Sequence, residues 1–582
     1  MTQYKVIRER NVMVPMRDGT CLATDVFRPD APGRFPVLVN RGPYGKDSYV
    51  ENPHHSVWYF PEHGYVVLSQ DCRGRFESEG DYDPLFQESN DGWDTVEWAA
   101  RQPWSNGRVA TTGQSYLAAT QYTLATADPL PPHLQTMAPV SASSDFHQSW
   151  VYHTGGAMEW GWMVPYAILK GRNTLERAGL NDLLSEMDKY VLEPGNFGQP
   201  LTDEWYQHLP LRDWIERLKE AAPYFHEYFD EELDGPYWWK IGLKQHLQRI
   251  NIPMFHISSW YDIFLEGALT AFSEISEKGA TPLAKENQKL LVGPWGHIRP
   301  FTEPNTGGCG DIDFGEAAAI ELHEHLRRWF DHWLKDEDTG YLDEPSVNIF
   351  VMGENQWRQE DEWPLARTHY TKFYLHGDTP ANSKNGGGYL STVPPGDEKP
   401  DEYIYDPENP VPTKGGNTLI IPFGVANQAE NELRDDVLVY STPPLEKDTE
   451  ITGPIKMHLF AATSAIDTDF TAKLVDVHPD GYSQNLQDGI VRARYRTSTA
   501  QPSFVEPGRV YPYVIDLWST SHLVKKGHQI RVDISSSNFP RFDRNPNTGA
   551  NLGVDSKLEK AKQTVYHTST YPSHMVLPLI PR

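Results

Sequence analysis

The chain has 582 residues and a formal charge of −28 at pH 7, with 38% hydrophobic and 12% aromatic residues. That length holds several domains, and the aromatic share supplies large areas to bury. The charge argues against a general nucleic-acid binder or a binder of anionic membranes, both of which need a basic surface.

In chain order, VIRERNVMVPM and CLATDVFRP alternate like two strands around the turn Arg17–Gly19. FPVLVNRGPYG and GYVVLSQDCRG are short apolar runs ending in glycine-bearing loops. ESNDGWDTVEWAARQPW has helical periodicity, with Asn90 or Asp91 as the expected cap. GRVATTGQSYLAATQYTLATA reads as strand, tight turn and helix, and LQTMAPVSASSD as a further strand. Strands alternating with helices predict a parallel sheet flanked by helices. From Phe146 to Lys244 the chain turns helix-like and rich in Trp and Tyr, as in NDLLSEMDKYVL and LRDWIERLKEAAPYFHEYF. The α/β pattern resumes with IPMFHISSWYD, LEGALTAFSEIS and QKLLVGPWGH, then a strong helix, EAAAIELHEHLRRWFDHWLK. Beyond about residue 345, short strands with turn signals dominate, starting with VNIFVMG and THYTKFYLHG. The expected organisation is an α/β domain over residues 1–145 and 245–345, a helical cap over 146–244 inserted in it, and a jelly-roll β-sandwich over 346–582.

The segment GRVATTGQSYLAA places Ser115 where an apolar strand gives way to a helix. A serine projecting from such a turn needs small neighbours, here Gly113, Ala118 and Ala119, although Leu117 stands where G-x-S-x-G would have its last glycine. A serine is a weak nucleophile without a base that a carboxylate orients. Asp262 follows the strand FHISSWY and His297 follows KLLVGPWG, so the order is Ser, Asp, His, as expected for a doubly wound hydrolase sheet. An oxyanion needs two donors. The Tyr116 amide is one by its position, and the loop NRGPYGKD offers the Tyr44 hydroxyl as the other. His323, Glu324 and His325 lack the i, i+4 spacing of a zinc helix and read as charged helix surface. In RFDRNPNTG, Asp543 with Arg541 or Arg544 reads as a turn held by charge-assisted hydrogen bonds.

MRDGTCLATDVFRP, RGPYGK, DCRGRFESEG, GQSYLAATQY, WYDIF, GPWGH, HLRRWFDHWLK and SSSNFPRFDRNPNTG together resemble the cocaine esterase and glutaryl-cephalosporin acylase (CocE/NonD) group of serine hydrolases, which is related to X-Pro dipeptidyl-peptidases and α-amino acid ester hydrolases. The resemblance spans almost the whole chain. It implies an α/β-hydrolase domain with a helical cap and a C-terminal jelly roll, Ser115 as nucleophile, Asp262 and His297 as its partners, and an oxyanion hole from Tyr44 and the Tyr116 amide. It also implies an aromatic acyl pocket. Phe264 matches such a position, and Trp150, Trp160 and Trp162, where the cap begins, are its further candidates, with ordinary cap packing as the alternative. Where the α-amino acid ester hydrolases carry a carboxylate for a substrate ammonium, this chain has Leu117-Ala118-Ala119.

The expected activity is hydrolysis of carboxylic esters of small hydrophobic or aromatic acyl groups through an acyl-enzyme, with no metal or organic cofactor. Amide cleavage by an acylase or X-Pro-type peptidase on the same residues is the alternative, and a non-catalytic binding protein a more distant one. The expected partner is a small-molecule ester or amide, with no nucleic acid and no membrane, and the oligomeric state is left open, a homo-oligomer included. Cys21, Cys72 and Cys309 fit no disulfide framework or zinc motif, no apolar run reaches the roughly 18 residues of a membrane span, and the first residues lack the apolar core of a secretory signal. A cytoplasmic, reduced location is expected.

Overall fold

The computed structural model describes residues 3–51, 55–191, 203–297 and 307–582. Its first sheet is built from β1 (Val6–Pro15), β2 (Cys21–Pro29), β3 (Phe35–Gly42), β4 (Val66–Asp71), β5 (Ser105–Gln114), β6 (Leu134–Val140), β7 (Phe255–Tyr261), β8 (Lys289–Gly296), β9 (Val347–Val351) and β10 (Gln356–Glu360). Their order across the sheet is β1-β2-β4-β3-β5-β6-β7-β8-β9-β10. The run from β4 to β9 is parallel, and antiparallel pairs close each edge. β4, β7 and β8 are buried along their whole length, which is why their sequences run apolar without alternating: a parallel strand covered on both faces has no solvent side. The helices Glu88–Ala100, Tyr116–Leu124, Leu265–Lys278 and Leu322–Lys335 supply that cover. The carboxyl ends of β3, β5, β7 and β8 therefore open onto one rim, where an open α/β sheet binds its ligands.

Two local expectations change. The helix at Asn90 starts at Glu88, so Asn90 and Asp91 lie within it. Their side chains are engaged elsewhere, Asn90 accepting from Arg17 and Asp91 pairing with Arg73. VNIFVMG, expected to open the C-terminal β-domain, instead forms β9 and pairs in parallel with β8, at Val347 opposite Leu290 and Ile349 opposite Val292. Its apolar residues extend the buried first sheet. The alternation of a short strand does not reveal which sheet it joins.

Between β6 and β7 the chain leaves the sheet as helices, of which Trp160–Ala178 is the longest described. From His369 on, a second, mostly antiparallel sheet runs from its edge strand Asp401–Tyr405 to Ser483–Arg492. Its core includes Ile451, Met457, Leu459, Phe470, Leu474 and Ile515. No described helix is long and apolar enough to cross a membrane.

Candidate active site

Ser115 occupies the one-residue turn between β5 and the helix Tyr116–Leu124, at φ 62° and ψ −126°. A side chain at positive φ is strained and is kept there by its surroundings. Here the Ser115 amide donates to Val140 O at 2.9 Å, and its carbonyl accepts from the Ala118 and Ala119 amides, also at 2.9 Å. The turn also needs room beside it. A Cβ on Gly113 would lie 2.6 Å from Leu117 Cβ, and one on Gly42 would lie 2.5 Å from Leu117 Cδ1. The glycine missing at 117 is thus answered by a glycine on β3, which makes space for the leucine.

His297 follows β8 and Asp262 follows β7. His297 Nε2 stands 2.9 Å from Ser115 Oγ, and His297 Nδ1 stands 2.9 Å from Asp262 Oδ1. A carboxylate only accepts, so Nδ1 carries the proton and Nε2 is left as acceptor for the serine hydroxyl. Asp262 is fully buried. Its Oδ1 also accepts from the Phe264 amide at 2.9 Å. The loop around it is held from the C-terminal β-domain: Asn417 Nδ2, on a loop, donates to the carbonyls of Trp260 (2.9 Å) and Asp262 (3.0 Å), and Gln487 Nε2, on the strand Ser483–Arg492, donates to that of Trp260 (2.8 Å). Gln114 Nε2 donates to the His297 backbone carbonyl.

Tyr44 reaches the same point from the loop after β3. Its hydroxyl is 3.3 Å from Ser115 Oγ, 3.4 Å from the Tyr166 hydroxyl, and hydrogen-bonded to the Tyr116 amide. Burial pushes the Tyr44 phenol above its ordinary pKa, so it keeps its proton as a donor. The Lys46 amide, two residues on, donates to Asp71 Oδ1 at 2.7 Å, which fixes the loop to the end of β4. The Tyr116 ring points away from the rim, its hydroxyl donating to Glu88; only its amide serves here. The helix Trp160–Ala178 adds Lys170, whose Nζ lies 3.7 Å from the centroid of the Tyr44 ring. Burial, with Arg75 nearby, pushes that ammonium well below its ordinary pKa.

A cavity of about 560 Å³ opens at Ser115 and His297, bounded by Tyr44, Leu117, Leu169 and Lys170 among others, a volume in the usual range for small-molecule sites. The four aromatic residues expected at an acyl pocket do not border it. Three of them form one buried stack: Trp150 and Phe264 lie face to face at 4.7 Å and 8°, and Trp162 meets Trp150 edge-on at 5.0 Å. Phe264 in turn meets the His297 ring edge-on at 5.2 Å. Trp160 is elsewhere, packed near Phe229. It lies two residues from Trp162 on one helix, so the two rings face different ways. Sequence reading missed Lys170, Tyr166, Asn417 and Gln487; a lysine inside the apolar run YAILKG was the one available signal.

Residues 18–299 match the X-Pro dipeptidyl-peptidase (S15) family, and residues 339–576 match the X-Pro dipeptidyl-peptidase C-terminal non-catalytic domain. The cocaine esterase of Rhodococcus sp. (strain MB1 Bresler) is 37% identical, with 98% of each chain covered. This chain belongs to the cocaine esterase group of the S15 serine hydrolases. The S15 fold is carried by solved relatives as well. An aminopeptidase from a marine sediment Thaumarchaeota archaeon superposes with a TM-score of 0.84 at 26% identity, over 99% of this chain and 97% of that one. An α-amino acid ester hydrolase gives 0.79 at 26% identity over the same shares. The chain is therefore a serine hydrolase, with an α/β-hydrolase fold and a C-terminal β-domain.

Proposed function

We propose that this S15 hydrolase cleaves carboxylic esters of small hydrophobic or aromatic acyl groups, with Ser115 as nucleophile, His297 as general base and acid, and Asp262 holding the imidazole. The observation that carries this reading is the continuous hydrogen-bonded line from Ser115 Oγ through His297 to Asp262, with both links at 2.9 Å. As Ser115 Oγ attacks the carbonyl carbon, His297 Nε2 takes its proton and buried Asp262 stabilises the imidazolium. The negative oxygen that forms is met by the Tyr44 hydroxyl and the Tyr116 amide. The intermediate collapses as His297 returns the proton to the leaving alkoxide. Water, deprotonated by the same imidazole, then releases the acid from the acyl-enzyme. We place Phe264 as the support behind the His297 ring, with Trp150 and Trp162 packed onto it outside the cavity. Trp160 has no part in it.

The relatives' names point to both chemistries: the cocaine esterase and the α-amino acid ester hydrolase to esters, and the archaeal aminopeptidase and the X-Pro dipeptidyl-peptidase family to amides. Leu117-Ala118-Ala119 after the nucleophile gives no carboxylate to anchor a substrate amine, which favours the ester reading. The three free thiols accord with a reducing, cytoplasmic setting.

Matched p-nitrophenyl esters and p-nitroanilides of increasing acyl size test the reading. Short and aromatic acyl esters should turn over well ahead of the corresponding anilides. Ser115→Ala should lower kcat by about 10⁴–10⁶ with the circular dichroism spectrum retained. Turnover like that of the wild type in purified Ser115→Ala would remove Ser115 from the mechanism. Faster cleavage of the anilides would replace the esterase by an amidase.

A further inference from the structure

The second sheet carries a group of side chains that the hydrolytic site does not use. Strand Asp469–Val477 pairs antiparallel with Gln529–Ser535, with Val477 opposite Gln529 and Asp476 opposite Ile530. Continued by one residue, that register puts His478 across from His528, and their ring centroids are 4.5 Å apart. Asp476 and His478, two residues apart, share a face of the ribbon. One oxygen of Asp476 lies 2.8 Å from His528 Nδ1, and the other lies 2.8 Å from Nε2 of His522, on the strand Tyr511–Val524, which pairs elsewhere in the sheet. His478 Nε2 is 4.0 Å from Asp476 Oδ2 and 3.2 Å from Gln484 Oε1.

A hydrogen-bonded network alone accounts for His522 and His528, each with a direct bond to the carboxylate. His478 stands beside that network, bonded to Gln484 Oε1 and turned toward Asp476 beyond direct bonding distance. The carboxylate and the two imidazoles can each present a ligand atom with all three within 4.8 Å of one another. Ligands at about 2.0–2.1 Å from a tetrahedral ion are separated by about 3.3 Å, so a small turn of His478 closes the set. His478 has that freedom at 28% side-chain exposure, while Asp476 at 2% is fixed.

We propose that Asp476, His478 and His528 form a binding site for a divalent transition-metal ion, zinc by the chemistry of its ligands, with water completing the coordination. One carboxylate and two imidazoles suit zinc and disfavour magnesium and calcium, which take oxygen ligands. His522 is the outer partner that orients the carboxylate, and the exposed edges of His478 and His528 leave the entry path open. The site shares no residue with the cavity at Ser115. Its role is to clamp two strands at their ends, apart from the hydrolytic chemistry, which needs no metal.

EDTA-treated full-length protein, titrated with zinc chloride in a calorimeter and followed by thermal unfolding, tests the site. The wild type should bind one equivalent and gain a few degrees in Tm, with no response to magnesium. His478→Ala combined with His528→Ala should lose about 100-fold or more in zinc affinity, and with it the gain in Tm. His478→Ala alone, at a partly exposed position, should lose at least about tenfold, and gives the reading if the double variant does not fold. Zinc binding of equal strength and stoichiometry in His478→Ala, or none in the wild type, would overturn the proposal.

Discussion

Tyr44 shows how much one side chain of the rim has to do. Its hydroxyl stands within reach of the Ser115 oxygen and the Tyr116 amide, and its ring lies under the Lys170 ammonium. Removing the hydroxyl leaves the ring and its packing in place. Tyr44→Phe should therefore lower kcat by about 10²–10³ with KM little changed, the signature of a donor used at the transition state. Steady-state kinetics on a p-nitrophenyl ester measures this, and an unchanged kcat would make Tyr44 a packing residue. The positions of Ser115, Asp262, His297 and Tyr44 were legible in the sequence because each lies immediately past an apolar run, and strand ends in a doubly wound sheet meet at one rim. Lys170 was not, since its place depends on how a long inserted helix docks. Trp160 and Trp162 could have been separated beforehand, had the helix been placed to begin at Trp160.

At the scale of single elements, the helix Leu265–Lys278 carries a titration of its own. Glu266, in its first turn, faces Asp516 of the strand Tyr511–Val524, and burial together with that neighbouring charge pushes the Glu266 carboxyl up to about 8. A carboxyl whose pKa is higher folded than unfolded binds its proton more tightly in the native state, so it favours folding as pH falls toward 4.5 and costs stability as pH rises through about 8. Glu266→Gln removes that dependence. The Tm difference between Glu266→Gln and the wild type should move in favour of the variant as pH rises from 4.5 to about 8 and level off above that, and a difference independent of pH would contradict the assignment. The element types themselves followed from periodicity. What periodicity did not reveal was sheet membership, as β9 shows, or the start of the helix at Glu88, where the caps suggested by Asn90 and Asp91 were committed to distant arginines.

Across the whole molecule, the C-terminal β-domain and the inserted helical segment are joined by buried charge. Asp543 accepts from Arg492 at 2.9 Å and from the Met158 amide at 2.8 Å, at the start of the inserted helical segment. The sequence suggested Arg541 or Arg544 as its partner. Instead Arg541 pairs with Asp488, and Arg544 bonds to Gln207 and the Pro407 carbonyl. A partner some 50 residues away is invisible in a local motif. Removing one member of a buried pair strands the other, so Asp543→Ala should cost on the order of 3 kcal/mol, seen as a lowered Tm. A Tm within about a degree of the wild type would show that Asp469, also bound to Arg492, carries the pair by itself.

The amides of Asn417 and Gln487 on the loop of Asp262 also bear on when activity begins during synthesis. A ribosome that has made 400 residues has already released Tyr44, Ser115, Asp262 and His297, yet neither amide that steadies the carboxylate exists. Translation must run on for more than 80 further residues before both can fold back. Nascent chains should consequently remain poor hydrolases until the second sheet has formed, so the acquisition of activity is tied to late folding rather than to the appearance of the reactive residues.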